Sequence, residues 1–259
     1  MSQGTLRLAF FLAGMFTLLS WELAAPHHSP TVARARRWLA NLTFAAINGA
    51  AVSAVCVACL ELSRRGAWPW RSGLFEAMSW PGWARWPLEV AVLDLLVYFL
   101  HRAYHRAPLL WRFHSVHHSD RDLDVSSASR FHLGEVAVSG AAKLGAVALL
   151  GISFTGLLAF EIVLLLAAQF QHANIRLPQR LEAAFGALIV PPAMHRVHHH
   201  PERASTDSNF GTLLSAWDRL FRTYRARSPS DRTFGLDRYP DAGRWGPLSL
   251  FLLPFRRRR

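Results

Sequence analysis

Apolar residues fall in long blocks along this chain instead of alternating with polar ones. Residues 5–21 make the first block and residues 38–62 a longer second one. Each is long enough for a helix across the roughly 30 Å of bilayer hydrocarbon, which takes about 20 residues. Residues 135–152 and 153–171 make two more, broken at Gly151-Ile152-Ser153, where glycine suits a helix end and serine the next start. This hairpin either crosses the bilayer or re-enters it. A fifth helix is expected to open at Pro87, a first-turn position where no donor is lost, and to run through His105. The pattern predicts an all-α integral membrane protein with four to five transmembrane or re-entrant helices.

Three organisational units follow: residues 1–85 with the first helices and an interfacial loop, residues 86–225, and a basic tail over residues 226–259. Residues 63–85 are dense in Trp, Pro, Gly and Arg, as suits a headgroup-level segment. Residues 119–130 are polar and read as loop. Residues 213–224 carry an apolar stripe (Leu213, Leu214, Trp217, Leu220, Phe221, Tyr224) framed by arginines, which predicts an amphipathic helix. The tail PLSLFLLPFRRRR reads as a surface anchor.

The formal net charge is +12. Because the arginines lie between and after the apolar blocks, anionic lipid headgroups account for them better than nucleic acid does. Lys143 and Glu161 fall inside the hairpin, where a helix interior or a cavity suits them better than open lipid. The two cysteines, Cys56 and Cys59, sit in an apolar block and read as packing residues. The first block lacks a leader-cleavage pattern and reads as a helix.

The chemistry lies in the histidines. His101-x-x-x-His105 ends the fifth helix, His114-x-x-His117-His118 follows at once, and His195-x-x-His198-His199 stands far downstream. Residues four apart on a helix share a face about 5–6 Å apart. In each triplet the first and last histidines therefore point one way and the middle one another, so that one triplet can serve two neighbouring metals. With the lone candidates His132 and His172, the set is His101, His105, His114, His117, His118, His132, His172, His195, His198 and His199. His27 and His28 read as loop residues, and His200 fits neither triplet register. Asp94, two turns before His101 on the same face, is expected to hold the N–H of a ligating imidazole.

Imidazole suits iron, zinc, copper and nickel. A structural zinc site needs about four ligands, a zinc peptidase would carry His-Glu-x-x-His, and a haem takes one or two axial ligands. Two non-haem irons, each leaving a position for oxygen or substrate, use the set best. A metal transporter or a metal-binding scaffold without oxygenase activity is the alternative.

HRAYH, WRFHSVHH, SRFHLGE, FQHANIRLP and MHRVHHHPE followed by TDSNFGTLLSAWDRLF resemble, in order over residues 90–225, the fatty acid hydroxylase and sterol desaturase superfamily. HLGE stands where HPxE is usual, and Phe221-Arg222-Thr223 where Phe-Gly-Thr is. The resemblance implies a membrane di-iron oxygenase that uses O2 to hydroxylate or desaturate a lipid at an unactivated C–H, with the histidines above as ligands. The chain contains no Gly-x-Gly-x-x-Gly motif and no iron–sulfur cysteine set, so a separate reductase or a cytochrome b5-like or ferredoxin-like carrier is the expected electron donor. By the positive-inside rule, the histidine face is expected to be cytoplasmic, in the cell (inner) membrane if the protein is bacterial.

Overall fold

The computed structural model describes residues 3–64, 73–77 and 80–256, and among them it is helical, with two isolated bridges and no strand. Part of the tryptophan-rich segment expected at headgroup level (residues 65–72, 78 and 79), arginines 257–259 and the Cys56 and Cys59 side chains lie outside the described residues.

The helices are α1 (Gln3–Ala24), α2 (Arg34–Arg64), α3 (Leu74–Ala77), α4 (Gly82–Arg106), α5 (Pro108–His118), α6 (Leu133–Leu150), α7 (Phe154–His172), α8 (Gln179–Leu188), α9 (Pro192–His198), α10 (Arg203–Thr206), α11 (Ala216–Leu220) and α12 (Pro247–Phe251). Four of them are long and apolar enough to cross a membrane: α1, α2 over Arg34–Val55, α6 and α7. The α6–α7 turn is built as its residues demand. Gly151 takes a left-handed φ of 69° and Ser153 caps α7 by accepting from the Gly156 N–H. Within the hairpin, Lys143 on α6 pairs with Glu161 on α7, which also takes Arg7 of α1 at 3.3 Å.

α4 lies along α7 and runs from one end of the bundle to the histidines. It starts at Gly82, capped by extended Pro81, with Pro87 inside it rather than opening it. An internal proline removes one backbone donor, here in the exposed part of the helix. At the same end Glu89 accepts from the Ser153 N–H (2.7 Å) and Arg85 donates to the Gly151 carbonyl (2.7 Å). At the far end Ala107 is extended, as a residue before proline prefers, and Pro108 opens α5 at its first turn.

Three further stretches differ in detail from the expectation. Residues 119–130 are irregular as expected, apart from one 3-10 turn, but most of them are buried. Asp120, Asp122, Asp124 and the 3-10 turn Val125–Ser129 are buried, and Arg37 reaches them from α2, donating to Asp120 (2.8 and 3.0 Å) and to Asp124 (2.7 Å). Arg130 adds a contact to Asp120 at 3.3 Å. Burial pushes the Asp120 carboxyl up, but these two guanidiniums beside it hold it below the usual carboxylate range. Secondly, the stripe over residues 213–224 is helical only at Ala216–Leu220. The helix ends at Leu220, and two residues on Arg222 takes a φ of 58°, in the left-handed region that favours glycine. Thirdly, part of the tail is docked: Leu250 and Leu253 are buried against Ala40 and Phe44 of α2 and Val116 of α5.

Candidate metal centre

The break at Ala107-Pro108 turns α5 back against α4, so that histidines of both helices face one volume. α7 returns to the same end with His172 on its last turn, and α9 brings the downstream triplet. The result is two groups of imidazoles. His101, His105, His114, His118 and His198 form one, and His117, His172, His195 and His199 form the other, the ligand atoms in each lying within 4.8 Å of one another. The groups adjoin: the His118 and His199 rings stack with centroids 4.4 Å apart. Each triplet is divided as the helix geometry dictates, His117 and His198 crossing to the group opposite their neighbours.

Backbone and side-chain acceptors aim the rings. Nδ1–H of His101 donates to the Phe210 carbonyl (2.9 Å), of His198 to the Ser208 carbonyl (2.7 Å), of His172 to the Ala168 carbonyl (2.7 Å) and of His114 to the Glu135 carboxylate (2.8 Å). The other nitrogen, Nε2, is then a lone-pair donor pointing inward. His172 Nε2 stands 3.1 Å from both His117 Nε2 and His195 Nε2, and His114 Nε2 is 3.2 Å from His118 Nε2. Inward-facing lone pairs at such distances repel unless a proton or a cation lies between them. Nε2 of His101 and of His198 and both nitrogens of His105 are buried with no hydrogen-bond partner. A buried polar atom without a partner costs about 1–3 kcal/mol. This donor set fits divalent transition metal ions.

The electrostatics suit the same use. Burial, then neighbouring imidazoles, hold His117, His118, His195 and His199 well below the ordinary imidazole value, and burial takes His198 down to about 3. All five are neutral near pH 7, the form that ligates a metal. Aromatic rings wall the site: Phe210 faces His105 and Phe131 stacks on His117 at 4.3 Å.

Two expected residues are placed elsewhere. His132 belongs to neither group. Its Nδ1 accepts from the Gly134 N–H, capping α6, and its Nε2–H donates to the Phe251 carbonyl, which leaves no nitrogen for a metal. Asp94 touches no imidazole. It accepts from the Thr212 hydroxyl (2.8 Å), the Leu213 and Leu214 N–H groups (3.0 Å each) and the Trp217 indole (2.7 Å). It therefore fixes the segment just after Phe210, whose carbonyl aims His101, and acts on the site through the backbone. Among the described residues, the carboxylate hydrogen-bonded to a grouped imidazole is Glu135, on His114, while Asp207 lies 3.6 Å from His105 Nδ1. Asp218, accepting from the Phe210 and Gly211 N–H groups, and Asn209, bridging Met194 and Arg225, complete the brace. Sequence reasoning passed over Asp218, Asn209 and Glu135, although all three lie within the quoted motifs. His200 caps the following turn, accepting from the Glu202 N–H, and His27 pairs with Asp231.

Comparison with known proteins bears on this geometry. The fatty acid hydroxylase family model matches residues 86–223. The chain belongs to the fatty acid hydroxylase family. Among relatives of this hydroxylase-family chain, an ornithine lipid hydroxylase of Rhizobium tropici is 29% identical over 169 residues, covering 62% of this chain and 50% of that protein. The alkylglycerol monooxygenase of Homo sapiens is 24% identical over 160 residues (61% of this chain, 35% of that protein), and that of Danio rerio is 28% identical over 159 residues (61% and 34%). The match thus spans half or less of these relatives' length. No solved structure matches significantly.

Two substitutions separate the carboxylates. Glu135→Gln, which keeps the size but loses the charge on His114, is expected to weaken metal binding by about ten- to a hundred-fold, read by competitive chelator titration. Asp94→Ala removes a charged acceptor of four hydrogen bonds and is expected to cost about 3 kcal/mol of stability, read as a lower melting temperature in detergent. A melting temperature equal to that of the parent protein would refute the bracing role.

Proposed function

We propose that this chain is an O2-dependent, non-haem di-iron membrane oxygenase that hydroxylates a lipid at an unactivated C–H. The observation that carries the proposal is the division of the imidazoles into two adjoining groups of five and four at one end of an apolar helix bundle. One iron would be held by His101, His105, His114, His118 and His198, the other by His117, His172, His195 and His199. Bound there, the irons would supply O2 activation and oxidation of the C–H bond. The chain's own residues supply position and dryness. The Phe210, Ser208 and Ala168 carbonyls and Glu135 set the imidazole orientations, and Phe131 and Phe210 exclude water. The chain orients one carbon of a flexible lipid against the centre, as proximity requires. The relatives favour hydroxylation over desaturation, and they supply the substrates to try first: an ornithine lipid and an alkylglycerol. Electrons would come from a separate reductase or small carrier on the histidine side.

The test is anaerobic purification with iron, followed by incubation with each lipid, O2 and a generic reductase–ferredoxin pair. Two irons per chain and a product heavier by one oxygen atom, with 18O from O2, are expected. Oxygen incorporation by iron-free protein would sink the reading.

We also propose that the histidine side is cytoplasmic, a reading that rests on the charge bias. With Cys56 and Cys59 replaced, a cysteine at Arg203 on the histidine side should be labelled by an impermeant maleimide only in inside-out vesicles, and one at Trp83 only from the opposite side. Both positions are exposed. The reverse pattern would invert the orientation.

A further inference from the structure

On the far side of α9 from the imidazoles lies a second concavity, of about 860 Å³, between α8, α9 and the stretches around residues 176 and 219–232. Five arginines line it (Arg176, Arg196, Arg219, Arg225 and Arg232) against one carboxylate, Glu182. None of the nine grouped histidines is in the lining.

Arg196 is the informative residue. It is 6% exposed, yet its Nε and Nη1 have no hydrogen-bond partner, and its contact with Glu182 is long, at 3.5 Å. An interior guanidinium normally fills its fork with acceptors, because an unpaired buried charge is costly. Asp231 also bears on it, but that carboxylate is engaged by His27 at 3.1 Å and lies 3.9 Å from Arg232, and the remaining neighbours add positive charge. Arg219 is committed to Ser215, the Gly186 carbonyl and the face of Tyr224, and Arg225 shares Glu202 at 3.3 Å. Arg176 and Arg232 are exposed on the lining. The floor is thus a buried, half-satisfied fork inside a basic rim, the geometry that takes an oxyanion in two parallel hydrogen bonds.

We propose that this concavity binds a phosphate ester. Its volume lies in the range of small-molecule pockets, and the head of Arg196 lies too deep for a flat protein surface. α8 gives the setting. It turns Gln179, Glu182, Ala183 and Gly186 to the concavity and leaves Leu181, Phe185 and Leu188 exposed on another face, at 45%, 38% and 66%. A helix with one apolar exposed stripe and one stripe on a basic pocket suits the membrane interface. There the phosphate of a lipid headgroup would meet the arginines, while a free phosphate ester would reach them from the aqueous side. The site requires neither metal nor turnover, so it stands or falls separately from the oxygenase reading.

The full chain in a phosphate-free maltoside detergent is titrated calorimetrically with inorganic phosphate and with dihexanoyl phosphatidic acid. Saturable one-site binding of at least one probe is expected, weakened about tenfold or more by Arg196→Gln, as loss of a charge-assisted pair implies. The exposed Arg176→Glu and Arg232→Glu pair, which leaves the buried fork in place, should also weaken it and covers the case in which Arg196→Gln does not fold. Tighter binding of the lipid probe assigns the headgroup as the source, and equal binding assigns free phosphate. No saturation with either probe, or saturation unchanged by the exposed pair, overturns the proposal. So does saturation by an acidic soluble protein alone, which would make the surface a protein dock.

Discussion

His198→Ala and His117→Ala are each expected to abolish lipid oxidation and to lower bound iron well below the parent protein's content. Each residue is the single member its triplet lends to the other group. On the proposed assignment, removing His198 takes the imidazole that would tie α9 to the α4–α5 group, and removing His117 the one that would tie α5 to the α7–α9 group. Either change therefore disconnects a helix as well as deleting a nitrogen. His200→Ala is the matched control, since His200 serves a turn and not the cluster. Iron by elemental analysis and product by mass spectrometry, on the same monodisperse fraction, decide the matter. Full iron content in both variants would discard the ligand assignment.

The second large effect is one of stability. Arg37→Ala leaves Asp120 and Asp124 buried without their main counter-charge. Breaking one side of a buried ion pair costs about 3–5 kcal/mol, a large share of the roughly 5–15 kcal/mol by which native proteins are stable. We expect a much lower melting temperature in detergent and loss of folded protein on expression. Arg36→Ala, one residue away on an exposed position, should leave both unchanged. A parent-like melting temperature for Arg37→Ala would show that Arg130 alone neutralises the acidic segment.

Much of this was legible in the sequence because it depends on local periodicity. The apolar blocks became α1, α2, α6 and α7, the Gly151-Ile152-Ser153 break became the hairpin turn, and the H-x-x-H-H spacing foretold which histidines part company. What failed depended on partners distant in the chain. Spacing put Asp94 on the face of His101 but could not reveal that Thr212, Leu213, Leu214 and Trp217 would claim its four acceptor positions. The same bonds pull residues 213 and 214 out of the helix that their apolar stripe predicts. The burial of the aspartates in residues 119–130 was not legible because Arg37, their counter-charge, lies more than 80 residues earlier. His132 matched a ligand motif, but both of its nitrogens are taken by Gly134 and Phe251. Glu135 sat in plain view in HLGE, yet nothing local distinguished it from a first-turn helix carboxylate.

The one-residue hinge at Ala107 has a consequence for how the protein is made. By folding α5 back on α4, it places four imidazoles of the larger group (His101, His105, His114 and His118) within a single short stretch of chain, and that group then lacks only His198. The smaller group has only His117 from that stretch and waits for the hairpin to be inserted and for α9 to follow. In order of synthesis, four of the five imidazoles of the larger group thus precede the hairpin, whereas three of the four in the smaller group come at its end or after it.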